Sequence, residues 1–110
     1  MEAKFEDFLN LDIRLGKILT AELREDFRRP AYVMEIDFGE EIGIKKSSAQ
    51  ITERYDEEAL LGHHVLAILN FPDKQIKNVM SECLVLGVLS EGGVSLIRPD
   101  HDLPLGSKLA

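Results

Sequence analysis

The stretch Leu11-Asp12-Ile13-Arg14-Leu15-Gly16-Lys17-Ile18-Leu19-Thr20 decides the fold. Leu11, Ile13 and Leu15 alternate with polar residues, which is the two-residue period of a strand with one buried face. Gly16 interrupts, and Ile18 and Thr20 resume on the opposite parity. A glycine with a parity change in mid-strand reads as a bulge or bend, the device that lets a small sheet curl toward a barrel.

Outward from this strand, Tyr32, Met34, Ile36 and Phe38 alternate and predict a second strand with one buried face. Gly39-Glu40-Glu41 reads as a tight hairpin turn into Ile42 to Lys46. The block Ile44-Lys45-Lys46-Ser47-Ser48-Ala49-Gln50-Ile51 then reads as alternation breaking into a small, polar, basic turn. From Ala49 to Leu61 the pattern is weakly helical. Asp56 is placed to cap a short helix, with Glu57 and Glu58 near its positive end and Gly62 to stop it. Val65 to Leu69 and Cys83 to Leu89 are apolar strands. Val94 to Ile97 is a last short one, joined to its predecessor by the hairpin turn Ser90-Glu91-Gly92-Gly93. At the N-terminus, Phe5, Phe8 and Leu9 predict a short amphipathic helix within Glu2 to Leu11, too short to stand alone. The tail Leu103-Pro104-Leu105-Gly106 is apolar and not helical. Five principal strands with a helical excursion between the third and fourth predict an all-β fold. It is a five-stranded oligonucleotide/oligosaccharide-binding (OB) barrel with an N-terminal helix and a C-terminal extension. Another small barrel and a split sandwich are the alternative architectures.

With 110 residues, the chain is expected to form one domain, residues 1–110, and 45% apolar residues suffice for a core. The net charge of −7 argues against a general nucleic-acid coat, because backbone phosphates demand a positive footprint. The lone cysteine, Cys83, cannot form an intrachain disulfide and suits a reducing cytosol, so a cytoplasmic location is expected. Met1 to Asp7 lacks the apolar core of a signal peptide, and no apolar run reaches the roughly 18 residues of a membrane span. His63 and His64 are adjacent on a strand and point to opposite faces, and His101 is alone. No metal site is expected. Cys83 lies in an apolar run and reads as inert. No nucleophile–base order, glycine-rich phosphate loop or paired-carboxylate site emerges, so neither catalysis nor a cofactor is expected.

Two blocks carry the candidate binding chemistry, the one at Lys45 to Gln50 and Asn70-Phe71-Pro72-Asp73-Lys74-Gln75-Ile76-Lys77-Asn78 leading into Ser81-Glu82. Loops carried by a rigid β scaffold are where such domains place function. The candidate binding residues are Lys45, Lys46, Ser47, Ser48, Gln50, Asn70, Phe71, Ile76, Lys77, Met80, Ser81 and Glu82. Each also has a plainer reading. Lys45 and Lys46 are either an anion contact or two solvated lysines. Ser81 is either a ligand contact or a turn former. Asn70 reads as a turn residue bonding nearby backbone. Phe71, Ile76, Val79 and Met80 are either core beneath a loop or a pocket for a peptide side chain.

Leu11 to Ile18, Gly62-His63-His64-Val65 with Asn70-Phe71, and Ile76 to Glu82 resemble the tRNA-binding OB domains. Those domains are found at the ends of some methionyl- and phenylalanyl-tRNA synthetases and in the endothelial-monocyte-activating-polypeptide group. Within that family, several blocks resemble the CsaA group of export-related chaperones: Pro30-Ala31-Tyr32, Ile36 to Gly39, Ile42 to Thr52, Asn70-Phe71-Pro72 and Ser81 to Gly87. The resemblance covers nearly the whole chain. It implies a homodimer that binds unfolded or precursor polypeptides for protein export, with tRNA and the export machinery as further partners. Phe5, Phe8, Leu9, Leu103, Pro104 and Leu105 are the expected dimer contacts, because pairing the terminal segments would bury their apolar faces. The chain departs from the tRNA-binding relatives at Cys83-Leu84, where they carry Gly-Met. It departs again at Asn78, where they carry Gly, and at Ser47 to Gln50, where their turn reads Ser-Gly. These positions weaken the tRNA reading.

Overall fold

The computed structural model describes residues 1–110. Strand β1 (Ile13–Arg24) is the spine of the molecule. Its first half, Ile13 to Lys17, pairs antiparallel with β4 (His64–Ile68). Its second half, Lys17 to Arg24, pairs with β2 (Ala31–Asp37). The register slips between Ile18 and Thr20, so the bulge falls just after Gly16 rather than at it. Gly16 is required for a different reason. A Cβ there would lie 2.6 Å from both Ile36 Cγ2 and Phe38 Cε1, so only glycine lets the strand pass so close to the core.

Strand β3 (Ile44–Ala49) pairs with β2 along its whole length, and the sheet runs β3-β2-β1-β4-β7, with β7 at Leu84–Val85. The expected turn at Lys45 to Gln50 is therefore a continuous strand. Its polar residues alternate across a sheet instead of clustering on a loop. Helix α2 (Glu57–Leu60) packs against β1. Asp56 caps it by accepting from Ala59 N at 2.8 Å, and Leu60 is fully buried. Burying one such side chain is worth roughly 1.5–3 kcal/mol. Tyr32, Met34, Ile36 and Phe38 all lie in a ten-residue core with Ile18, Ile51, Leu60, Val65, Ala67 and Cys83.

The barrel is nearly closed by a seam between β3 and Ser81-Glu82-Cys83. Glu82 N donates to Lys46 O (2.7 Å), and Lys46 N donates to Glu82 Oε1 (2.9 Å). Ser48 N donates to Ser81 Oγ (3.0 Å), and the buried Ser47 Oγ donates to Cys83 O (2.9 Å). Side chains here stand in for backbone rungs, because β7 is only two residues long.

The expected fifth strand from Cys83 to Leu89 is broken. After β7, the chain turns away at Leu86 into β8 (Gly87–Val88), which pairs with β9 (Ser95–Leu96) as a separate hairpin. The basic block after Phe71 is itself a hairpin, β5 (Lys74–Ile76) and β6 (Val79–Ser81). It was not visible as strand because three-residue strands are too short to show a period.

Helix α1 is confined to Phe5–Leu9 and leaves Phe5 73% and Leu9 57% exposed. The C-terminal tail is more occupied than expected. Gly106 N donates to Leu15 O, Leu15 N to Ser107 O, and Leu109 N to Ile13 O. The tail thus fills the edge of β1 that β2 leaves free. Leu105 is half-buried within the same chain, while Leu103 and Pro104 stay exposed. No helix is long and apolar enough to cross a membrane.

Candidate polypeptide-binding groove

An open groove of about 470 Å³ lies where the end of β3 faces β7. Its floor is Ile51 and Cys83, both buried, and its rim carries Phe71, Leu84 and Leu89, all exposed. Ser48, Gln50, Ser81 and Glu82 supply the polar groups, with Lys74 at one side. The volume suits a few side chains of a bound chain.

Two hairpins form the walls. The β5–β6 hairpin contributes Lys74 and Ile76. Its other side packs into a small second core of Phe27, Ala31 and Val79, under the β1–β2 loop. Its tip is tied to the same loop by charge. Lys77 Nζ donates to Asp26 O at 3.0 Å and to Asp26 Oδ2 at 3.1 Å. Arg24 grips both carboxylate oxygens of Asp26 at 2.8 Å, donates to Asn78 Oδ1 at 3.0 Å and lies 4.6 Å above the Phe27 ring centre. Hydrogen bonds from Arg24 and then Lys77 hold the Asp26 carboxyl well below the usual carboxylate range. Lys77 has a φ of +55°, which costs a residue with a Cβ about 1–2 kcal/mol.

The β8–β9 hairpin forms the opposite wall and contributes Gly87, Leu89 and Val94. Arg54 fixes it by donating to Ser90 Oγ (2.8 Å) and Gly93 O (3.2 Å). Leu96 N donates to Tyr55 OH (2.8 Å), and the buried Tyr32 OH donates to Tyr55 O (2.9 Å). Burial pushes the Tyr32 phenol up from its ordinary value, with smaller contributions from Glu57 and Asp56.

Of the residues expected to bind, the groove gathers Ser48, Gln50, Phe71, Ile76, Ser81 and Glu82. Ser81 and Glu82 have one foot in the barrel seam, so their polar atoms already have partners. Ser47 is fully buried inside the barrel and cannot meet a ligand. Lys45 lies opposite the core residue Ile36 and Lys46 opposite the exposed Glu35, so the two lysines leave β3 on opposite faces and do not form a basic pair. Lys77 is paired with Asp26. Met80 is exposed but outside the groove. Asn70 bonds backbone as expected, though not locally. Its side chain accepts from Asp12 N (2.8 Å) and donates to Asn10 O (2.7 Å), pinning the end of α1 to the end of β4.

Leu84, Leu89 and Val94 each sit in a run that reads as core, and Ile51 closes a block that reads as a polar turn, so none of the four is marked as a groove residue by the sequence. Only the break at Leu86 turns Leu89 toward the groove rim. Cys83 forms part of the floor, and burial pushes its thiol up to about 11, so it is a packing residue there.

The outer face of β1, β2 and β3, where OB domains commonly bind ligands, is not basic. Thr20, Glu35 and Lys46 lie in one row across it, and Thr20 Oγ1 donates to Glu35.

Residues 13–108 match the family described as "Putative tRNA binding domain". The methionine–tRNA ligase of Thermococcus kodakarensis is 32% identical over 105 residues, covering 96% of this chain and 14% of the ligase. That of Pyrococcus horikoshii is 31% identical over 106 residues, again 96% of this chain and 14% of the ligase. The chain therefore spans about a seventh of the length of these curated relatives. Among solved structures, the chaperone CsaA of Bacillus anthracis strain Ames is 47% identical with a TM-score of 0.93, over all of both chains. The CsaA chaperone protein of Picrophilus torridus is 43% identical with a TM-score of 0.93, over 99% of this chain and 100% of that one.

Proposed function

The chain belongs to the tRNA-binding domain family, and from that premise we propose that it is a non-enzymatic chaperone of the CsaA kind, holding unfolded or precursor polypeptides in its groove. The observation that carries this reading is the groove's composition. Its rim is apolar, its polar groups are mostly neutral, and its one acid, Glu82, is already bonded to Lys46 N. Such a surface suits an extended segment that lays apolar side chains against Phe71, Leu84 and Leu89. Ser48 and Gln50 would then meet its backbone. The full-length likeness to two CsaA structures supports the same reading. Binding of this type is passive and tolerant, and the acidic body would keep a client complex soluble. Work in the cytoplasm on export precursors, alongside an export machinery, belongs to this proposal. So does a homodimer in which α1 and Leu103-Pro104 cover one another's apolar surface. Light scattering at micromolar concentration should give twice the chain mass, and a monomer mass would reject the pairing.

A second reading, a structure-specific tRNA-binding module, is favoured by the family and by Arg28, Arg29 and Lys74, which make no ion pair. Two binding titrations separate the readings, one against a reduced and carboxymethylated protein that stays unfolded and one against bulk tRNA. Near physiological salt the unfolded polypeptide should bind. Binding to tRNA should be weak and fall steeply with salt, with a log–log slope of about −0.7 to −0.9 per phosphate contact. Tight, salt-insensitive tRNA binding with no polypeptide binding would reverse the order.

A further inference from the structure

The two walls of the groove are attached differently, and one attachment converges on a single side chain outside the groove. The β5–β6 hairpin is a two-stranded unit with three residues per strand, and an isolated hairpin of that kind is marginal at best. Its tip, Lys77-Asn78, is a two-residue turn whose first residue takes the left-handed conformation such a turn requires. The contacts that fasten this tip to the β1–β2 loop meet at Asp26. Its carboxylate accepts from Arg24, at the end of β1, and from Lys77, at the hairpin tip, while Arg24 also reaches Asn78. Asp26 does not line the groove, but Ile76, next to the clamped Lys77, does.

We propose that Asp26 is a positioning residue for polypeptide binding, one that holds the β5–β6 hairpin in place as a wall of the groove. The inference rests on the groove reading above. Releasing Asp26 frees the hairpin tip and withdraws Ile76 from the groove. The bound segment then leaves faster, although no group that touches it has changed. The seam bonds of Lys46 and Ser47 should not respond, because they join β3 to Glu82 and Cys83, beyond the hairpin, and share no partner with Asp26; only the Ser48–Ser81 bond reaches β6.

The test uses the full chain and three variants, Asp26→Asn, Asp26→Glu and Phe71→Ala. Amide hydrogen exchange is measured without ligand, and the dissociation rate is measured for a fluorescein-labelled, reduced and carboxymethylated protein. In Asp26→Asn, exchange at Gln75 to Met80 should rise about threefold to fivefold, the scale of losing an exposed ion pair. Exchange at Lys45 to Ser47 of β3 should be unchanged, and the labelled polypeptide should dissociate faster by a similar factor. Asp26→Glu should restore both values, which loss of a merely structural contact would not do. Unchanged hairpin exchange in Asp26→Asn would overturn the inference whatever the binding data show. Faster hairpin exchange with unaltered dissociation, while Phe71→Ala accelerates dissociation, would also overturn it and leave the groove reading standing. If Phe71→Ala and Asp26→Asn both leave dissociation unaltered, the groove reading itself fails, and the inference with it.

Discussion

The barrel seam and the β5–β6 hairpin meet at Ser81, yet they are built from opposite materials. The seam runs from the buried Ser47 through the part-buried Ser48 to Lys46 at the surface, and three of its four bonds have neutral partners on both sides. The hairpin is fastened by a half-exposed carboxylate between two cations, over a core of three buried residues. A buried acceptor left without its donor costs about 1–3 kcal/mol, whereas an exposed ion pair is screened by solvent and contributes less. The seam therefore belongs to global stability, and the hairpin is the part of the groove able to move at little cost. A scaffold that must admit varied segments gains from keeping those two jobs apart.

The sharpest way to probe that division is to remove the same side chain from both regions. Phe38→Ala takes a fully buried ring from the main core and should cost about 3–5 kcal/mol in a denaturant titration. Phe27→Ala takes a ring from the small core under the hairpin, and its main effect should be faster amide exchange in β5–β6 with a smaller shift of the global midpoint. Equal global losses would merge the two regions into one cooperative unit. Next in size, Ser47→Ala strips the seam of its buried donor to Cys83 O and should cost about 1–3 kcal/mol, read by the same titration.

Smallest at neutral pH is the effect of Cys83, which becomes visible only in alkali. Its folded thiol titrates at about 11, against the ordinary 9.0. Because the fold prefers the neutral thiol, this contribution to stability is present below about pH 9. It declines between there and pH 11, as only the unfolded chain ionises. The native thiol should also resist a disulfide reagent at pH 8 and react on unfolding. Rapid labelling of the native protein would place Cys83 on an open surface.

Much of this fold was legible because long strands carry a period. Tyr32, Met34, Ile36 and Phe38 announce β2, Asp56 announces α2, and the parity change after Gly16 announces the bend of β1. What stayed hidden was short or tertiary. The β5–β6 strands have three residues each, too few for alternation to register, so the hairpin reads as a loop. The block at Lys45 to Ala49 reads as a turn because its residues are polar. It is a strand because its backbone pairs with β2 and its Ser47 hydroxyl finds Cys83 O. The site was legible in part for the same reason. Phe71 stood out as a large apolar residue in a polar stretch, whereas Leu84, Leu89 and Val94 looked like core until the break at Leu86 separated β7 from β8. The role of Asp26 depends on Lys77, 51 positions away, and on an Arg24 that also reaches Asn78, 54 positions from itself, which no local pattern reports.

The central claim, that the groove holds unfolded polypeptide on a few apolar anchors, is tested most directly by Phe71→Ala measured for client affinity and stability on the same sample. Phe71 is 44% exposed at the groove rim, so its ring is available to a ligand and contributes little to folding. The account predicts that affinity for the unfolded polypeptide falls by about 1–3 kcal/mol, roughly 5-fold to 150-fold, with the denaturation midpoint nearly unmoved. Unchanged affinity per folded molecule, together with a stability loss of about 3–5 kcal/mol, would make Phe71 a core residue and contradict the groove assignment.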